Sequence, residues 1–239
     1  MARTPGANVE ETRARIYKAA LRLFARHGFQ AVGIRAIAQE AGLTTGALYY
    51  HMGTKEDLLM DIMKSTMLPL TETCQRALEV HDRPEQQLAA ITELHVWVHG
   101  GRGTATMITD TEVRALSDPH LFEIMKLRDE YEGVWRTVMD NGVAEGVFDV
   151  PDAGVATIAL LELVTGAAHW YRPGGRLPLI KLCEVHADLA LGTVRAHRGN
   201  RPVRRSDLTL EPPGKGLPLD VIGPDVPLST FQTSSKGCK

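Results

Sequence analysis

The sequence predicts an all-α protein, and three observations carry that expectation. Apolar residues recur at i, i+3, i+4 and i+7 along almost every patterned segment. No stretch alternates apolar and polar residues over the length of a strand, and the turn-bounded β-branched runs that mark strands are missing. Capping residues, prolines and glycines sit where one periodic segment gives way to the next.

The first helix covers about 10–27, with Ile16, Ala20, Leu23 and Phe24 on one face; Gly28 stops it and Phe29 folds back on its last turn. A short second helix carries Ile34, Ile37, Ala38 and Ala41 and ends at Gly42. Thr44 or Thr45 caps a third, which runs to about Met52. Thr54 with Asp57 three residues on opens a fourth through a capping-box variant, and Pro69 is expected to kink it. A fifth helix begins at Asp82 with Pro84 and closes at glycines 100, 101 and 103, before a shorter sixth over about 104–116. Asp118 as N-cap, followed by Pro119 in the first position, launches a long helix to about Asn141. Pro151 opens another to about Tyr171, and a last helix covers about 177–197. The final 41 residues, from Gly199, hold six of the 13 prolines and no helical period, so a mostly disordered tail is expected. Its basic start (Arg195, Arg198, Arg201, Arg204, Arg205) reads as a solvated charge run, with a DNA contact as the alternative.

Composition bounds the function. The chain has 239 residues, 44% hydrophobic and 23% charged, ordinary values for a globular protein with a real core. No run of roughly 18 consecutive apolar residues suggests a membrane span, and no apolar stretch near Met1 suggests a signal peptide. Cys74, Cys183 and Cys238 lie far apart, so neither disulfides nor a zinc site is expected; a cytoplasmic protein without a cofactor fits. The formal charge of −2 hides an asymmetry. Residues 1–55 carry eight Lys/Arg against Glu10, Glu11 and Glu40, about +5, and such a field attracts phosphates.

The segment from Ile34 to Leu59 has the properties of a DNA-reading helix-turn-helix. Ile34, Ile37, Ala38, Leu43 and Leu48 lock two helices across the Gly42 turn. Thr44, Thr45, Gly46 and Ala47 begin the third helix with nothing bulky, which permits close approach in the major groove. Tyr49, Tyr50 and His51 are consecutive, so at most one faces the core. Lys55 lies in the first turn of the fourth helix, where free N–H groups already favour a phosphate.

On these residues, residues 9–69 resemble the DNA-binding domain of the tetracycline-repressor (TetR) family. The pieces are ALRLFARHGFQ, IRAIAQEAGL, TGALYYH and TKEDLL, and the all-helical remainder has the length and helix order of the family's regulatory domain. The resemblance implies an N-terminal three-helix reading domain (9–69), a ligand-binding and dimerisation domain (70–198) and the tail (199–239). It also implies a homodimeric repressor, released from a palindromic double-stranded operator by a small-molecule effector. Contacts with DNA carry over to Arg35, Thr44, Thr45, Gly46, Tyr49, Tyr50, His51 and Lys55. Gly33 stands where a capping Ser or Thr is usual, Thr45 where Lys is common, and Met52 where Phe is usual.

In the regulatory half, Trp97, Met107, Met125, Arg128, Tyr131, Trp135 and Trp170 are candidates for a ligand pocket. Arg128 is in phase with Met125 and Tyr131 and needs an anionic partner, Glu162 or a ligand. Broad apolar faces on the last two helices (Leu160, Leu161, Leu163, Val164, Ala167, Ala168; Leu179, Ile180, Leu182, Val185, Leu189) suggest a four-helix dimer interface. EVRALSDPHLFEIMKLRDEYEGVW and HWYRPGG are similar to TetR members that sense acyl-CoA thioesters in fatty-acid or steroid breakdown; an apolar drug or other metabolite is the alternative effector. His95 and His99 have the i, i+4 spacing of metal ligands but lack further ligands, so core or surface histidines are expected. The GGRG at 100–103 follows no strand and lacks a Walker lysine, and no nucleophile motif is present, so no enzyme is expected.

Overall fold

A computed structural model of the protein describes residues 5–216, with side chains from 9 to 215. Helix α1 (Pro5–His27) begins earlier than the periodicity predicts because proline suits a first helical turn. It packs on α2 (Ile34–Glu40) and α3 (Thr45–Met52) around Ile16, Leu21, Phe24, Ile37 and Leu48, all buried. Helix α4 (Lys55–Val80) starts on the expected capping box: Asp57 N donates to Thr54 Oγ1 at 3.0 Å and Thr54 N to Asp57 Oδ2 at 2.8 Å.

Pro69 lies inside α4 without ending it. Lacking an N–H, it cannot bond the Ser65 carbonyl one turn back. Arg102, from the break between α5 (Pro84–Gly101) and α6 (Gly103–Thr111), supplies the missing donor: its Nη1 lies 3.2 Å from Ser65 O. Its Nη2 reaches Tyr17 Oη on α1 at 2.9 Å, so one buried guanidinium joins α1, α4 and α6.

Helix α5 is buried on nearly every side, as befits the central helix of a bundle. Around it lie α4, α7 (Asp118–Ala144), α8 (Ala153–Thr165), α9 (Ala167–Trp170) and α10 (Leu179–Thr193). A short 3₁₀ turn at Val113–Ala115 joins α6 to α7, whose N-cap is Ser117 and not the expected Asp118. The helix expected over 151–171 is split: Asp152 caps α8, and Gly166 separates it from α9. The window Ala153–Trp170 is apolar enough by length and composition for a membrane span, a reading the sequence expectation above did not anticipate. Only 28% of it is buried, and Gly166 interrupts it.

The tail departs most from expectation. Residues 197–216 form an ordered clasp over α5, with β1 (His197–Arg198) pairing antiparallel with β2 (Arg201–Pro202), a 3₁₀ turn at Arg205–Asp207 and α11 (Pro213–Gly216). Arg195, Arg198, Arg201 and Arg204 are exposed, as a solvated run would be, but most of the basic stretch is also paired. Arg198 donates to Glu85 at 2.6 and 3.1 Å, Arg205 pairs with Glu93, and Arg201 and Arg195 pair with Asp207 and Asp149. Glu85 and Glu93 are buried on α5, and buried carboxylates need such partners. Leu208 buries into the core, and Gly214 packs on Trp97. The expected disorder of 217–239 lies outside the described residues, as does Cys238; Cys74 and Cys183 are buried free thiols.

Candidate nucleic-acid interface and effector cavity

The turn between α2 and α3 is held from outside. Gly42 adopts φ +64°, a region glycine enters without strain, and Arg15 donates to the Ala41 and Gly42 carbonyls. Thr44 is the N-cap of α3, its Oγ1 accepting from Ala47 N at 3.2 Å. Leu48 and Met52 take the buried face of α3, so none of Tyr49, Tyr50 and His51 is buried. Tyr50 is 85% exposed and Tyr49 52%, and the His51 ring meets Tyr50 edge-on at 5.1 Å. Gly46 has open space where a side chain would begin, and Arg35 is exposed on α2. Of the predicted contact residues, Arg35, Thr44, Gly46, Tyr49 and Tyr50 are exposed, and Thr45 and His51 are partly so.

Lys55 does not behave as expected. Its Nζ donates to Phe29 O and Val32 O, both at 2.9 Å, and lies 4.1 Å from the Phe29 ring centroid. Partial burial lowers its pKa, with Glu112 pulling it back up. The ammonium holds the α1–α2 loop through these two carbonyls. Arg15 and Arg22, counted in the basic field, are also engaged, Arg22 with Glu40 at 3.2 Å. Gly33 caps α2 without a side-chain bond, as the sequence implied.

The cavity is about 520 Å³ and lies between α4, α5, α6, α7, α8 and α9. Met125, Arg128 and Tyr131 line it as predicted. Trp97, Met107, Trp135 and Trp170 do not. Trp135 is fully buried in the bundle core, and Trp97 is half-buried under the clasp. Trp170 is 55% exposed and stacks on His186. Met107 is half-buried on α6, away from the lining.

Arg128 meets Asp110, not Glu162: Nη2 lies 3.6 Å from Asp110 Oδ1 and donates to Thr109 O at 2.8 Å, while Glu162 lines the same cavity. The inner wall is polar. His95 and His99 stack at 3.8 Å, His95 Nδ1 lies 2.7 Å from Tyr131 Oη, and its Nε2 lies 3.1 Å from Thr165 Oγ1. Burial lowers the pKa of both rings, that of His99 to about 4, and raises that of Asp110 to about 6. The i, i+4 spacing of the histidines was visible in the sequence, but Tyr131, Thr165 and Asp110 come from other helices. Among the described residues no group of His, Cys, Asp or Glu is suited to a metal ion.

Two tethers join this cavity to the reading domain. Glu112, two residues beyond Asp110, accepts from Phe29 N at 3.1 Å. Glu56 on α4 accepts from Ser117 N, Ser117 Oγ and His120 Nδ1 at 2.6–2.8 Å, which lowers its pKa to about 2.

An open two-helix reader attached to a helical domain with a cavity between its helices defines a helix-turn-helix regulator. Residues 16–62 match the family model for bacterial regulatory proteins of the tetR family, and 81–194 match the tetracyclin repressor-like C-terminal domain. The chain belongs to the TetR family and is a DNA-binding transcriptional repressor of that kind. The HTH-type transcriptional repressor KstR2 of Mycolicibacterium smegmatis is 26% identical over 192 residues, 79% of this chain and 93% of that protein. The ketosteroid transcriptional regulator KstR2 of Mycobacterium tuberculosis shares the fold, with a TM-score of 0.72 and 22% identity over 78% of this chain and 95% of that one. So does AibR, solved with isovaleryl coenzyme A and operator DNA (TM-score 0.66, 23% identity, 74% and 97% covered).

Proposed function

We propose that the protein is a homodimeric repressor released from a palindromic operator by an acyl-CoA thioester whose acyl part enters the α4–α9 cavity. DNA contacts are assigned to Arg35, Thr44, Thr45, Gly46, Tyr49, Tyr50 and His51, with Lys55 bracing the loop behind them. The observation that carries the reading is the continuity of cavity wall and tether. Asp110 and Thr111 line the cavity, and the next residue, Glu112, holds the Phe29 amide of the reading domain. A ligand that shifts the end of α6 therefore acts on the α1–α2 loop, which is the differential contact an allosteric effector requires.

The thioester class is supported by the isovaleryl coenzyme A bound to AibR, and the likeness to the ketosteroid regulator KstR2 adds steroid acids to the acyl parts considered. A cavity of about 520 Å³ lies in the range that holds a small acyl group. Its lining includes Asp110, Asp129, Glu132 and Glu162, so the CoA phosphates belong outside it. The same acids favour a second reading, an effector without a CoA part.

The test is a gel shift on the DNA upstream of the gene, titrated with salt and with thioesters of increasing acyl length and of steroid acids. Salt-sensitive binding released by one thioester class, and not by CoA alone, is expected. Retention with every thioester would overturn the CoA reading, and absence of salt-dependent binding would overturn the repressor assignment at that site.

A further inference from the structure

Most polar groups on the inner wall of the cavity are satisfied by the protein itself. Thr106, Thr109 and Thr111 bond carbonyls one turn back on α6, and His95 is held between Tyr131 and Thr165. Two atoms differ. Asp110 Oδ2 is buried and has no hydrogen-bond partner. His99 Nδ1 lies 3.0 Å from the His95 carbonyl, which only accepts, so Nδ1 carries the ring proton and Nε2 presents a lone pair. Nε2 lies 4.0 Å from Asp110 Oδ2, too far for a bond between them. Two acceptors thus face one another across a gap, and His99 is buried. Arg128 stands on the other carboxylate oxygen and keeps Asp110 ionisable.

An unpaired buried acceptor is costly, and a ligand donor placed beside Asp110 Oδ2 removes that cost; an ammonium has protons for both atoms, a hydroxyl for one. The geometry points to His99 Nε2 and Asp110 Oδ2 as a receptor for a hydrogen-bond donor, a hydroxyl or ammonium group on an otherwise apolar effector body. Met67, Leu70 and Leu161 offer the apolar surface for that body. A carboxylate in the same position meets two lone pairs and is rejected. This inference rests on the cavity being the effector site, not on the effector being a thioester.

The test uses octan-1-ol, octylamine and octanoate, which share a chain length and differ at the terminus, titrated calorimetrically into the full-length dimer at neutral pH. The alcohol and the amine should bind about ten-fold or more tighter than the acid. Asp110→Asn should erase the preference, and His99→Leu should do the same from a different helix, so a folding defect in one variant does not decide the outcome. Equal binding of the three probes, binding of none, or a preference that survives both substitutions would overturn the inference. Thioester release without the octyl preference would sink this inference alone; the preference without thioester release would sink the CoA reading alone.

Discussion

Lys55 and Tyr50 stand five residues apart and separate scaffold from contact. The Lys55 ammonium is bonded to two carbonyls, whereas the Tyr50 ring is open to solvent. Tyr50→Ala should therefore weaken operator binding with the thermal stability unchanged. Arg35→Ala should lower the salt slope of binding by about 1, the signature of one lost phosphate contact. Lys55→Ala should weaken binding with the slope little altered and stability reduced, because the loop at Phe29 loses its brace. A full unit of slope lost in Lys55→Ala would restore it as a phosphate contact. Titration distinguishes the cavity residues too. His99 has a folded pKa depressed to about 4, so its neutral burial costs stability as pH falls from about 6.5 toward 4. Asp110 has a folded pKa raised to about 6, so its contribution runs the other way, improving as pH falls from about 6 toward 3.8. The two oppose one another in the wild type. Asp110→Asn removes one, and urea unfolding at pH 7 and pH 5 should show a steeper acid loss in the variant; an unchanged slope would contradict the assignment.

At the scale of elements, Arg102 and Pro69 form a matched pair. The proline leaves a carbonyl open and the arginine fills it. Arg102→Ala should cost about 3 kcal/mol, as expected for breaking a buried, hydrogen-bonded charge. In a Pro69→Ala background the Ser65 carbonyl regains its helical donor, so the same change should cost at least about 0.5 kcal/mol less; strict additivity would show that the two act separately. The clasp makes a parallel case: Arg205→Ala strips Glu93 of its partner and should destabilise more than Arg198→Ala, whose guanidinium is half exposed. Local signals made the helix-turn-helix legible: Gly42, the Thr54 capping box and the spacing of Ile34, Ile37 and Ala38 lie within a few turns of one another. The clasp was not legible, because its order comes from pairs more than a hundred residues apart, Arg198 to Glu85 and Arg205 to Glu93. Trp135 was misplaced for a similar reason. It lies one turn from Tyr131 on α7, and helical phase alone cannot tell which turn faces the cavity and which faces the bundle core.

Among the described residues, α8–α10 leave a set of apolar side chains uncovered. Leu160, Val164 and Leu182, expected in part for a dimer face, are buried inside the subunit, whereas Val155, Ile158, Trp170, Ile180, Val185 and Leu189 on α8–α10 are exposed. Exposed apolar side chains gathered on adjacent helices mark an interaction surface, and a second copy supplies the symmetry a palindromic operator demands. In the proposed dimer, pairing α8 and α10 with their counterparts would make a four-helix interface, and a palindromic operator would require the two α3 helices one DNA turn, about 34 Å, apart. Val185→Glu combined with Leu189→Glu places charge on the α10 face without touching the cavity lining. The variant should run as a monomer in light scattering and lose operator affinity by about a hundred-fold or more, because each reading head then binds without the other's effective concentration. It should still bind the octyl alcohol, since neither Val185 nor Leu189 lines the cavity. A dimer that persists in the variant would move the interface elsewhere. A monomer that keeps full operator affinity would remove the need for the second head.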